Sequence, residues 1–280
     1  MSIDIRLGKW QQALSTVPDA SVRLILTSPP YDNARTYEGT NEPVEFGELA
    51  AFALRVLVPG GTLAMVLDGQ VADGVQSITH LETVVAWAKL PGWRFRQFVV
   101  YGRQGVPGNT LGWFRRDHEP LFVFVRDGGP YLCEKSRIAE RRMQHTTPGR
   151  MGRRGKADAN IKSHEQRWEV QDAHRGSIWW YGNVGGSHND QSARTGHPAT
   201  FAEAFAIDAV QVWSNPGDLV CDPFSGSGTV AVACRGLGRR FVGAERVPLY
   251  HEMSLRRLDP THVSPERAAE PVGPLFGGRR

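Results

Sequence analysis

The sequence predicts an α/β protein, a mostly parallel sheet with helices on both faces. Short apolar runs alternate with segments whose apolar residues recur at helical spacing. Several runs end directly in Pro- or Gly-rich turns, and strands that alternate with helical segments are joined by crossovers, which makes their sheet parallel. A 280-residue chain with 40% hydrophobic and 22% charged residues has the composition of a globular domain with one large core. It has no run of about 18 apolar residues, so no membrane span is expected. Charges begin at once at the N-terminus with no apolar h-region, so no signal peptide is expected. Cys133, Cys221 and Cys234 form no paired spacing. Neither a disulfide framework nor a metal centre is expected, and a reducing cytoplasm fits.

The elements follow in order. Val22 to Leu26 is an apolar run ending in Ser28-Pro29-Pro30, which reads as a buried strand entering a loop. From Glu45 to Val58 the apolar residues Leu49, Phe52, Ala53, Val56 and Leu57 lie at helical spacing. Pro59-Gly60-Gly61 is expected to stop that helix, and Thr62 to Leu67 to return as a strand. Leu81 to Leu90 reads as helix, and Phe95 to Tyr101 and Pro120 to Arg126 read as strands. After an interruption, Thr200 to Trp213 and Thr229 to Leu237 read as helices, and Leu219 to Cys221 and Arg240 to Ala244 as strands. No internal repeat is present. The tail after Asp259 is rich in Pro, Gly and Arg, and fraying is expected there.

The interruption spans 133–177. It is polar, basic and poor in branched apolar residues, and it reads as a long irregular insertion. Lys135 to Arg175 holds eleven Lys/Arg against five Asp/Glu, a local balance of +6, whereas the whole chain carries +4. One basic block on a slightly acidic body is the footprint expected of contact with a phosphate backbone, and a solvated loop would show the same charge. Trp179-Trp180-Tyr181 at its far end suits core packing of a strand better than stacking on bases.

Two motifs carry chemistry. Leu219-Val-Cys-Asp-Pro-Phe-Ser-Gly-Ser-Gly-Thr229, its helix, and Phe241-Val-Gly-Ala-Glu245 make a βαβ unit with a glycine-rich turn. Gly226 and Gly228 permit a tight turn and close backbone approach, and Glu245 ends the next strand, where a carboxylate accepts from both ribose hydroxyls of an adenosine. The same spacing fits a nicotinamide dinucleotide. No Gly-Lys-Ser/Thr follows, which argues against an NTPase loop. The second motif, Thr27-Ser28-Pro29-Pro30-Tyr31, also sits at the end of an apolar strand.

Together these motifs resemble the β class of DNA amino-methyltransferases, in which a Ser-Pro-Pro-Tyr-type catalytic motif precedes an Asp-Pro-Phe-Ser-Gly-Ser-Gly-Thr-type cofactor motif. The resemblance covers most of Ile3 to Arg257 and extends to Pro59-Gly60-Gly61, His118-Glu119-Pro120 and His197-Pro198-Ala199. It implies a Rossmann-like S-adenosylmethionine-dependent methyltransferase fold with a basic target-recognition insert. The implied division is a catalytic half at 1–132, the insert at 133–177, a cofactor-binding half at 178–258 and a flexible tail at 259–280.

The chemistry that the resemblance implies is direct. An exocyclic amine of cytosine or adenine is a poor nucleophile because its lone pair is delocalised into the ring. Two acceptors on its hydrogens favour a pyramidal nitrogen. The Ser28 side chain and the Pro29 carbonyl take that part, Pro30 shapes the loop, and Tyr31 stacks on a base flipped out of the duplex. Asp222, Phe224, Gly226 and Gly228 contact the methionine and adenosine of S-adenosyl-L-methionine, and Glu245 takes the ribose. His197 and Thr200 lie beside the cofactor. Arg141, Arg142, Arg150, Arg153, Arg154 and Lys156 of the insert face DNA. Carbon-5 methylation needs a Pro-Cys nucleophile, and Leu132, Val220 and Ala233 precede the three cysteines.

Serine at position 28 is typical of cytosine-N4 enzymes of this class and aspartate of adenine-N6 enzymes, so N4 of cytosine is the expected target and N6 of adenine the alternative. The implied partner is double-stranded DNA, in a bacterial or phage-infected cytoplasm; membership of a restriction-modification system with a cognate restriction endonuclease and an orphan or phage enzyme both stay open. Monomer and homodimer both stay open. A nicotinamide-dependent oxidoreductase and an inactive methyltransferase-like DNA-binding protein are the rival classes.

Overall fold

The computed structural model describes residues 2–30, 44–72, 74–103, 114, 117–138, 140–145, 168–173, 175–181 and 202–259. In chain order the elements begin with β1 (Ile3–Leu7), α1 (Trp10–Ala13), β2 (Val22–Thr27), α2 (Phe46–Val56), β3 (Leu57–Val66), β4 (Val71–Ala72) and β5 (Val75–Gln76). They continue with α3 (Thr79–Ala88), β6 (Trp93–Arg103), β7 (His118–Arg126), a 3-10 turn (Lys135–Ile138), β8 (Glu140–His145), β9 (Trp168–Ala173) and β10 (Ile178–Tyr181). The last are α4 (Glu203–Trp213), β11 (Leu219–Asp222), α5 (Thr229–Gly236), β12 (Arg240–Glu245) and α6 (Pro248–Leu258).

Eight strands form one sheet in the order β1-β12-β11-β2-β3-β7-β6-β10. Within it β7 alone runs antiparallel to its neighbours β3 and β6, and every other pairing is parallel. The expected α/β architecture is therefore the observed one. The sheet draws strands from both sides of the insert, and β1 from the N-terminus pairs with β12.

Strand alternation divides the core into two layers. Leu24 and Leu26 of β2 face a cluster built with Phe205, Ala209, Val210 and Trp213 of α4 and Val230 and Cys234 of α5. Ile25, between them, faces the opposite cluster with Leu49, Ala53 and Val56 of α2 and Trp87 of α3. All three β2 residues are 0% exposed. This is why β2 reads as a continuous apolar run with no polar alternation: both of its faces lie under helices. Each such side chain contributes roughly 1.5–3 kcal/mol on burial.

Two sequence expectations need correction. The helix α2 ends at Val56, and Pro59-Gly60-Gly61 lies inside β3. Gly60 has φ +77°, and a Cβ there would come within 2.2 Å of the Pro130 carbonyl oxygen. The Pro-Gly pair therefore serves close packing against the Gly129-Pro130 backbone in the turn beyond β7, and register with β2 slips beside it. Second, the insert is not wholly irregular: β8 and β9 form an antiparallel two-stranded ribbon, with Arg141 opposite Asp172 and Arg142 opposite Gln171. A strand reading Glu-Arg-Arg-Met-Gln-His offers no apolar alternation, so hydropathy gave no sign of it.

The described ends of the basic segment are also partly committed to the fold. The Arg137 guanidinium donates to the carbonyls of Gln211 at 2.9 Å and Ser214 at 2.8 Å, at the C-terminus of α4. Buried Arg239 adds a second bond to the Ser214 carbonyl at 2.8 Å. These cations satisfy carbonyls that the helix end leaves without intrahelical partners. Arg175 pairs with Asp208 of α4 and lies 4.9 Å from the Tyr181 ring centre. The excess charge counted from sequence thus includes side chains that tie the insert to α4.

Candidate active site

The sheet order places the two motifs side by side. From β11 the chain passes through α5 to β12 on one side, and from β2 it passes through α2 to β3 on the other. β2 and β11 are adjacent and parallel, with Ile25 opposite Cys221, so their carboxyl ends diverge at a topological switch point. Open α/β sheets bind ligands in the crevice that such a point creates. Ser28, Pro29 and Pro30 leave β2 there, with Pro29 buried and the other two half-buried. Asp222 ends β11 and Glu245 ends β12 on the same rim.

The glycine-rich turn is held by backbone donors on carboxylates. Asp222 Oδ1 accepts from the Thr27 hydroxyl at 2.7 Å and from the Phe224 N–H at 3.0 Å. Glu245 Oε2 accepts from the Gly226 N–H and Oε1 from the Val247 N–H, each at 2.8 Å. Gly226 and Gly228 both adopt positive φ, +51° and +78°. At Gly228 a Cβ would meet the Ser254 Cβ of α6 at 2.8 Å, so the turn needs glycine for conformation and for space. Arg257 of α6 clamps the same turn, donating to the Ser227 carbonyl at 2.8 Å and the Thr229 hydroxyl at 3.0 Å. Phe224 is half-buried, its ring 6.4 Å from that of Trp10.

Burial sets the electrostatics. It pushes the Asp222 carboxyl up to about 7, against the lowering effect of the Thr27 and Phe224 hydrogen bonds, and nearby Glu245 raises it further. Burial also raises Glu245, opposed by the N–H donors of Val247 and Gly226. Two carboxylates kept from water at adjacent strand ends gain from a ligand that brings a cation and hydroxyl donors. Cys221 is fully buried beneath the site, and burial holds its thiol well above its ordinary value, unlike an activated nucleophile.

The structure therefore brings Ser28, Pro29, Pro30, Asp222, Phe224, Gly226, Gly228 and Glu245 to one rim. Tyr31, His197, Thr200, Arg150, Arg153, Arg154 and Lys156 lie outside the described residues. Arg141 and Arg142 stand on β8, in the two-stranded ribbon with β9 rather than in the eight-stranded sheet. Sequence reasoning missed Asp68, which follows β3 and is 5% exposed, and the Arg103–Glu119 ion pair of 2.9 Å where β6 ends and β7 begins. Both belong to the same rim, because β7 runs opposite to β3 and β6. The signal for Asp68 was present: like Asp222 and Glu245, it is an acidic residue closing an apolar strand. No group of three or more His, Cys, Asp or Glu side chains suited to a metal ion occurs among the described residues.

Comparison with known proteins shows the chain's family and fold. The chain is 26% identical over 243 residues to the orphan methyltransferase M.BamHII of Bacillus amyloliquefaciens, covering 86% of this chain and 90% of that one. It is 26% identical to the DNA adenine methyltransferase YhdJ of Escherichia coli, covering 92% of this chain and 83% of that one. Among solved structures, the cytosine-N4-specific PvuII DNA methyltransferase superposes with a TM-score of 0.67 at 16% identity, over 94% of this chain and 89% of that one. The M1.HpyAVI–SAM complex gives a TM-score of 0.59 at 18% identity, over 91% and 99%. These two likenesses show a shared fold. The profile of the N6/N4 DNA methylase family matches residues 22–256, and the chain belongs to that family.

Proposed function

We propose that this protein transfers a methyl group from S-adenosylmethionine to the exocyclic N4 of cytosine in duplex DNA, within the crevice between β2 and β11. The observation that carries the reading is the placement of Ser28-Pro29-Pro30 and of the Asp222–Glu245 turn on the carboxyl ends of adjacent parallel strands. The residues fit the cofactor. Glu245 ends β12 on the crevice rim, its oxygens accepting the Gly226 and Val247 N–H groups, and its carboxylate accepts the ribose hydroxyls there. Asp222 accepts the Thr27 and Phe224 donors through Oδ1, which leaves Oδ2 for the cofactor's ammonium group. M1.HpyAVI, which shares the fold, forms a complex with the same cofactor. Phe224, Gly226 and Gly228 shape its seat, and His197 and Thr200 border it.

When bound, the cofactor supplies an electrophilic methyl on its sulfonium. The chain's own part is to present the amine. The Ser28 hydroxyl and the Pro29 carbonyl accept the two amino hydrogens and so return the lone pair to nitrogen, Pro30 holds the turn, and Tyr31 stacks on the flipped base. Direct displacement needs no covalent enzyme intermediate, which suits a site whose nearest cysteine is buried. Positioning then carries much of the rate.

The insert at 133–177 is the target-recognition region between the catalytic half at 1–132 and the cofactor half at 178–258. Arg141, Arg142, Arg150, Arg153, Arg154 and Lys156 contact DNA from it. Changing Arg153 and Arg154 together to Gln lowers DNA affinity and flattens its dependence on salt by about two phosphate contacts. Titrations across several salt concentrations read this, and an unchanged slope returns the block to a solvated loop.

Ser28 favours cytosine, whereas the relative YhdJ is named a DNA adenine methyltransferase, which favours N6 of adenine as the second reading. Mass spectrometry of nucleosides from DNA methylated by the protein separates them. N4-methylcytosine is the expected product, and N6-methyladenine in its place overturns the base assignment while keeping fold and mechanism. Family membership leaves the nicotinamide reading without support.

A further inference from the structure

The backbone ladder between β2 and β11 ends at the pair Ile25–Cys221. Beyond it, at the strand ends where the two motifs begin, the connection is made by side chains. Thr27 Oγ1 donates to Asp222 Oδ1 at 2.7 Å, between residues 195 apart in sequence. Thr27 is 0% exposed and Asp222 3% exposed, so water is poorly placed to replace either partner. On its other side Thr27 is held by β3, opposite Met65. Its hydroxyl adds nothing to the strand itself, because a β-branched valine has the same shape and the same liking for a strand. What the hydroxyl adds is a donor for a buried carboxylate, one residue before Ser28.

We propose that Thr27 is a positioning residue for methyl transfer: its hydroxyl orients the Asp222 carboxylate and thereby fixes the Ser28-Pro29 turn against the cofactor site. This role rests on the reading of Asp222 as a cofactor contact and of Ser28 as an acceptor for the amine. Without the hydroxyl, Asp222 Oδ1 keeps only the Phe224 N–H, and the carboxylate is free to rotate away from the ligand. The ends of β2 and β11 then lose the side-chain bond that joins them beyond their ladder. Both consequences act on the reaction, one through cofactor affinity and one through the geometry of transfer.

The test uses the full chain with Thr27→Val, Thr27→Ala and Thr27→Ser. Calorimetry reads S-adenosylmethionine affinity, and single-turnover methylation of duplex DNA at saturating cofactor reads the transfer step. Thr27→Val and Thr27→Ala are expected to weaken cofactor binding about tenfold, the worth of one hydrogen bond to a charged group. They are also expected to slow single turnover by a similar factor. Thr27→Ser, which keeps the donor, restores both. Wild-type values in Thr27→Val, or a serine variant as impaired as the valine one, overturn the proposal, since packing alone then explains the residue. Asp222→Asn is measured beside them. Unchanged affinity there overturns the cofactor reading beneath the proposal. Weakened affinity there, with wild-type behaviour in Thr27→Val, overturns the Thr27 proposal alone.

Discussion

Glu245→Ala lowers the affinity for S-adenosylmethionine by about 100-fold or more. The expectation follows from what the carboxylate does before any ligand arrives. Its two oxygens accept the N–H groups of Gly226 and Val247, so it holds the glycine-rich turn at one end and the start of α6 at the other. The residue is 8% exposed, and alanine leaves both donors in a space that water enters poorly. An unsatisfied buried donor costs about 1–3 kcal/mol, and a lost charged hydrogen bond to ribose adds a similar amount. Each 1.4 kcal/mol is about tenfold in affinity. Glu245→Gln keeps one carbonyl acceptor and falls between. Calorimetric titration with the cofactor reads both variants, and unchanged affinity in the alanine variant contradicts the ribose assignment.

Tyr31→Ala lowers methyl transfer by about 100-fold and leaves cofactor affinity as it was. Stacking of a base on an aromatic ring is worth about 1–3 kcal/mol, and a flipped base without its platform also loses orientation toward Ser28 and Pro29. The split is the informative part. Pro30, immediately before Tyr31, leaves the rim from β2, while Asp222 and Glu245, the carboxylates proposed to hold the cofactor, end β11 and β12. A side chain that serves the base alone changes turnover without changing cofactor titration. Tyr31→Phe keeps the ring and retains most of the activity. Single-turnover rates and cofactor titrations on the same preparations separate the effects, and equal loss of both removes the stacking role.

Much of the fold was legible because the apolar runs are unambiguous. β2, β11 and β12 are buried on both faces, so their residues carry a signal that surface polarity does not dilute. Helix α2 was legible from periodicity instead: Leu49, Phe52, Ala53 and Val56 recur at helical spacing and are its buried residues, with Ala50. What hydropathy could not supply was order. Nothing in the spacing of Ser28 and Asp222 tells that their strands are neighbours, because the contact spans nearly two hundred residues. Pro59-Gly60-Gly61 misled because the same tripeptide can end a helix or let a strand pass close to another backbone, and only the Pro130 carbonyl decides which. Arg137 and Arg175 look like any other basic residue in a basic segment until α4 is seen beside them.

The candidate site divides in the same way. Glycines, prolines and strand-ending acids were readable from their positions, since turn chemistry is local. Thr27 was not, since a buried threonine acquires meaning only from its neighbours.

The measurement that bears most directly on the proposed reaction is transfer of labelled methyl from S-adenosylmethionine to mixed-sequence duplex DNA, run on the wild-type chain and on Glu245→Ala in parallel. Label entering DNA with the wild type, and falling to near background with the variant at limiting cofactor, is the predicted result. Cofactor binding by the wild type with no label on any duplex contradicts that reaction and leaves a DNA-binding protein that has kept the methylase fold without its chemistry.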